Sequence, residues 1–182
     1  MHTLHHIAVQ AESLEQAFDA VKETLQSDQS FSDWSDWHVI GGGRWHSNED
    51  YQYEDDPSDV ICFKDNNEMF FNVVSNALLR RQGHLLELIQ FMKENPESTL
   101  YRVRQKFMKT EVWPNPLIEK EEIDMPLYYL SRITDLLMDR YSPESGIYDL
   151  TERTADVRWL RQRLLDENIC DKQYLVPVDF HF

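Results

Sequence analysis

Residues 34–46 read WSDWHVIGGGRWH, and this stretch punctuates the first third of the chain. A run of strand-forming residues ends at Ile40 and meets Gly41, Gly42 and Gly43 before Arg44-Trp45. The chain has only five glycines, so three in succession mark a backbone that a side chain would obstruct. Three of its five tryptophans, Trp34, Trp37 and Trp45, fall in the same stretch. Residues 36–40 therefore read as a strand running directly into a glycine turn.

Working outward, residues 3–9, TLHHIAV, read as an earlier strand. Ser13 and Gln16 form a capping box. Leu14, Ala17, Phe18, Val21 and Leu25 follow at helical spacing, and the polar residues 27–32 end that helix. The opening is thus β-α-β.

After the acidic loop of residues 49–59, residues 60–63 predict a third short strand before the turn-forming Asp65-Asn66-Asn67. Phe70, Val73, Val74, Ala77 and Leu78 predict one face of a long helix. Leu85, Leu88, Ile89 and Met92 continue that face, and Pro96 stops it. Leu100, Val103 and Phe107 suggest a further short helix before the rigid residues 113–116. Pro126 suits the first turn of another, carrying Leu127, Leu130, Ile133, Thr134, Leu137 and Tyr141. Residues 155–167 predict a last helix with Trp159, Leu160 and Leu164 on its buried side. The closing KQYLVPVDFHF predicts a strand in which Pro177 points to an edge or a bulge. The expected fold is one α+β domain over residues 1–182. Its small ferredoxin-like sheet has a β-α-β opening and a returning C-terminal strand, with residues 68–167 as a mainly helical insertion or cover.

Acidic residues number 33 against 18 basic, a formal net charge of -15. That balance argues against direct nucleic-acid binding, which rests on neutralising phosphates with Lys and Arg. It suits a basic protein partner, a divalent cation, or mimicry of a nucleic acid's charge. Cys62 and Cys170 have neither disulfide-framework nor zinc-motif spacing, so they read as idle thiols in a reducing compartment. No apolar run is long enough for a membrane span, and the N-terminal residues do not resemble a signal peptide. A cytoplasmic location is the expectation.

Over residues 37–45, WHVIGGGRW, the chain resembles a family of phage and mobile-element proteins of uncharacterised activity. Members open with a β-α unit, carry an aromatic-rich strand ending in a Gly-Gly-Arg-Trp turn, and finish on a strand close to VxVDxH. The matching parts here are residues 4–25, 37–45 and 176–181. This chain has three glycines where the resemblance calls for two, which lengthens the turn. The resemblance does not cover the helical middle and implies no activity or site role.

The glycine turn supports two readings. Gly41, Gly42 and Gly43 can present consecutive N–H groups to an anion, with Arg44 adding a forked contact and Trp37 and Trp45 stacking on a planar group. Alternatively, the turn is a tight connection and Trp45 plugs the core. It is neither a P-loop nor a dinucleotide fingerprint, since no Lys-Ser/Thr follows and the glycines are not spaced G-x-G-x-x-G.

A second candidate pairs the two ends of the chain. If the first and last strands run antiparallel, alternation places His2 and His6 on one face and His5 on the other, with Asp179 and His181 sharing a face. His2, His6, Asp179 and His181 then form a candidate set for a divalent metal or for acid–base chemistry, although their spacing matches no known metal motif and solvated terminal histidines are the plainer reading. No resident cofactor is expected. The acidic loop lacks the calcium-binding D-x-D-x-D-G arrangement, so it reads as a solvated loop or an interaction surface. Arg80, Arg81, Arg102, Arg104, Lys106 and Lys109 make the middle locally basic, most simply as solvated helix surface. No G-x-S-x-G elbow is present. The functional expectation is an acidic, non-enzymatic interaction protein that modulates a host protein. The alternative is a small-ligand protein or enzyme that contacts an anionic group through residues 41–44.

Overall fold

The computed structural model describes residues 2–27, 35–94 and 146–181. Trp34, the helices expected over residues 100–141, the stop at Pro96, and the side chains of Leu85, Leu88 and Met92 lie outside the described residues. The chain divides into two compact units, Met1–Arg80 with Tyr141–Phe182, and Arg81–Arg140. The first carries everything discussed below.

That unit is mixed α/β. In order come β1 (His2–Gln10), α1 (Leu14–Ser27), β2 (Trp37–Ile40), β3 (Ile61–Cys62), α2 (Asn67–Glu94), β4 (Ile147–Asp149), α3 (Arg158–Leu164) and β5 (Gln173–His181). Helix α2 runs on into the second unit. The sheet order is β2-β5-β1-β4, and β3 also pairs with β5. β1 and β5 pair antiparallel, as expected, from His2 opposite His181 to Gln10 opposite Gln173. β4 lies within the span expected to be mainly helical, and it runs parallel to β1.

Pro177 corrects another expectation. It sits in the central strand rather than at an edge. On one side of β5, β2 pairs as far as Val178 and β3 begins at Leu175. Pro177 falls in the gap between them, where no ladder needs the N–H that proline lacks, and its carbonyl accepts from Gly41 N–H at 2.7 Å.

Alternation along these strands gives the sheet two faces. Ile7, Val9, Ile40, Tyr148, Val176, Val178 and Phe180 pack with Phe18, Val21 and Leu25 of α1. The α1 cap forms as its sequence predicts, with Ser13 Oγ accepting from Gln16 N–H and Gln16 Oε1 accepting from Glu12 N–H. On the other face, Ala8, Ile61, Ile147 and Leu175 pack with Phe70, Val74 and Ala77 of α2 and with Leu160 and Leu164 of α3. Trp159, expected to be buried, is half exposed. The inner side of the short α3 is set by Leu160, Arg163 and Leu164 at i, i+3 and i+4, which turns Trp159 outward.

Arg163 fixes α3 to this face. Its Nη2 donates to Asp149 Oδ2 at 2.6 Å and its Nε to Gln173 Oε1 at 3.0 Å. Burial pushes the Asp149 carboxyl up from its ordinary pKa, and the Arg163 guanidinium pulls against that.

Candidate functional site

Beyond Ala8 and Leu175 the second face turns polar. His6 lies opposite Pro177, Leu4 opposite Asp179, and His2 opposite His181, while β2 adds Val39 beside Asp179 and Trp37 beside His181. The two candidate groups of the sequence therefore meet at one end of one face. Trp37 stacks on His181 with ring centroids 5.0 Å apart. His2 meets both rings edge-on. Its Nδ1 lies 3.0 Å from each carboxylate oxygen of Asp179, so that nitrogen carries the hydrogen.

Asp179 is fully buried beneath the glycine turn. Gly43 has φ +53°, and a Cβ there would come within 2.5 Å of the Asp179 side chain. Gly41, at φ +108°, leaves no room either, because its Cβ would meet the Asp56 carbonyl oxygen at 1.8 Å. The glycines let the backbone close over Asp179, and Arg44 N–H donates to its Oδ2 at 3.1 Å.

Four backbone donors of this turn and its exit are used within the fold. Gly41 N–H goes to Pro177, Arg44 N–H to Asp179, Trp45 N–H to the Gly42 carbonyl and His46 N–H to the Gly43 carbonyl. The Asp179 carboxylate fills the space beneath the turn. The geometry thus gives Gly41 and Gly43 an architectural role, since a Cβ at either would meet the fold, and commits the Arg44 N–H to Asp179. Trp45 departs from the second reading alone. It is about half exposed and does not plug the core.

His6 stands apart from the proposed metal set. It shares a face with His2, but four residues of strand put about 13 Å between them. Among the described residues, no three His, Cys, Asp or Glu side chains are grouped to hold a metal ion.

The acidic loop is more ordered than its composition suggested, because half of its carboxylates hold it together. Asp55 Oδ1 accepts from Ile40 N–H at 3.0 Å, and its other oxygen pairs with Lys22. Asp56 caps the turn Pro57–Asp59, and hydrogen bonds from Ser58 hold its carboxyl below the usual range. Asp59 accepts from both the N–H and the hydroxyl of Ser47 at 2.6 Å. His46 sits buried at the centre, with Nε2 3.1 Å from Asp56 Oδ1 and Nδ1 accepting from Asn48 N–H at 2.9 Å.

Ser58 Oγ lies 3.1 Å from His46 Nε2, and Asp59 Oδ2 lies 3.9 Å from its Nδ1. This constellation has the residue types of a catalytic triad but the wrong hydrogens. Asp56 is an acceptor on the same Nε2, so Nε2 carries the hydrogen and cannot take a proton from Ser58. The Ser58 hydroxyl donates to Asp56 instead. His46 is a staple for the loop. Sequence reading missed this role, although Ser47-Asn48 beside it and the turn-forming residues 56–59 were signals that the loop bonds to its own backbone.

Between the glycine turn and the start of α2 lies a cavity of about 430 Å³. His6, Leu4 and Pro177 line it from the sheet, Trp45 and Asp59 from the loop, and Met69 from α2. Burial lowers the His6 pKa to about 4, so its imidazole is neutral near pH 7. Comparison with protein-family models, curated proteins and solved structures returned no match. Among the described residues, no helix is long and apolar enough to cross a membrane.

Proposed function

We propose that this protein is a non-enzymatic binding protein that docks a basic partner protein through the loop of residues 47–59. The observation that supports this reading is the division among the six loop carboxylates. Asp55, Asp56 and Asp59 are engaged in folding the loop, whereas Glu49, Asp50 and Glu54 are exposed beside Tyr51 and Tyr53. Tyr53 is 74% exposed. Aromatic side chains held on an ordered, charged rim offer contact area at low entropic cost, and the carboxylates steer a cationic partner toward them. In the phage or mobile-element setting suggested by the Gly-Gly-Arg-Trp resemblance, the partner would be a host protein.

Mimicry of a nucleic acid draws less support. Asp149, Asp156 and Asp179 are buried, and three loop acids are engaged, which removes six carboxylates from any surface array.

The test is capture from a host lysate by the wild-type chain and by a Glu49→Lys, Tyr53→Ala, Glu54→Lys variant that keeps the folding carboxylates. A partner held by the wild type at low salt should be released at high salt and lost by a variant with an unchanged circular dichroism spectrum. Equal retention by both chains would sink the reading.

A further inference from the structure

The cavity beside the loop carries a more specific assignment, which rests on the basic-partner reading above. We propose that it receives an arginine side chain of that partner. Its volume of about 430 Å³ lies within the roughly 300–1,000 Å³ common for ligand clefts.

The lining supplies acceptors, a π face and apolar walls. The His6 side chain makes no hydrogen bond or ion pair among the described residues, and the residue is part-exposed on the cavity. As a neutral imidazole it can accept a hydrogen bond without adding a competing positive charge. Asp59 is held in place by Ser47, and Asp65 lies exposed on the same cavity. No lysine or arginine lines the cavity, and among the described residues none pairs with either carboxylate. Trp45 lends its indole to the wall and has no aromatic ring partner among the described residues. Leu4, Met69 and Pro177 offer an apolar passage for an aliphatic stem.

This chemistry complements a guanidinium. Its planar head stacks on an indole, its fork of N–H groups matches an imidazole and carboxylates, and it sheds water more readily than an ammonium. An anion would meet two carboxylates and no cation. The same lining would accept a free polyamine, which the experiment must separate from a protein side chain.

The experiment titrates the full chain with a capped Gly-Arg-Gly peptide, its citrulline counterpart and spermidine, following the Trp45 indole and His6 ring signals by NMR. The arginine peptide should shift both signals saturably and bind about tenfold or more tightly than the citrulline peptide. Trp45→Leu and Asp65→Asn should each weaken it about three- to tenfold. Both positions are exposed, and if Trp45→Leu loses its fold, Asp65→Asn decides alone. Equal binding of citrulline, shifts that miss His6 and Trp45, or tighter binding of spermidine would overturn the assignment. Lysate capture keeps the two readings separable. If the triple loop variant loses its partner while arginine leaves the cavity signals unmoved, the loop reading stands and the cavity assignment falls. If arginine enters but loop and wild-type capture agree, the reverse holds.

Discussion

The two faces of the sheet are built from alternate residues of the same strands, yet they do different work. Under α1 the face is nearly all apolar, running from Tyr174 and Val9 through Val176, Val178 and Phe180. The opposite face packs against α2 and α3 at Ala8, Ile147 and Leu175. Further along it carries His6, Asp179, His2, His181 and Trp37. Alternation alone cannot distinguish these faces, because both sit on strands that are mostly buried. Under the helices the polar groups of this face, Asp149 and Gln173, are paired with Arg163, and where helical cover ends a cavity opens.

The sharpest way to break this contrast is to remove bulk from the α1 face. Phe180 is fully buried, and Phe180→Ala should cost about 3–5 kcal/mol in urea denaturation. A loss below about 1 kcal/mol would mean that α1 does not define the principal core.

Acid should act through the other face. Burial holds His6 at about 4, against an ordinary 6.5, so between these values the unfolded chain takes up a proton that the fold refuses. Stability should therefore fall as pH drops from about 6.5 to about 4, with His6 accounting for on the order of 3 kcal/mol. Denaturation midpoints at pH 7 and pH 4.5 should differ less in His6→Gln than in the wild type. An identical decline in both would place the acid sensitivity elsewhere.

Gly43→Ala probes the lid over Asp179. A Cβ at φ +53° that would come within 2.5 Å of the carboxylate side chain should cost about 2 kcal/mol, and the Arg44 amide should become faster to exchange. The smallest effect is expected at the rim. His181→Ala removes the ring that stacks on Trp37 but leaves the His2–Asp179 contact, so its cost should stay within about 1 kcal/mol. A cost as large as that of Phe180→Ala would erase the distinction between the faces.

Much of the α1 side was legible in the residues. The 3.6-residue spacing of Ala17, Phe18, Val21 and Leu25, the Ser13 cap and the antiparallel meeting of β1 with β5 all appear as expected. Strand β4 was not legible, because three residues between a turn and a loop carry no periodicity, and Ile147 and Tyr148 become informative only once β1 lies beside them. The site was half legible. Alternation grouped Asp179 with the terminal histidines and composition marked the glycine turn separately, but only the structure showed that Asp179 lies beneath that turn. The order within the loop was not legible for a different reason. Charge counts treat every carboxylate alike, whereas Asp55, Asp56 and Asp59 are bound to nearby backbone or hydroxyl groups.

The position of β5 also bears on how the chain is made. It is the last of the five strands to be synthesised, yet it pairs with β1, β2 and β3. Until it emerges, β1 and β2 have no strand between them, and their apolar faces must wait through the synthesis of everything in between. Folding should thus be a late and slow event, dominated by distant pairings. A translational pause before residue 173 would leave the sheet without its centre.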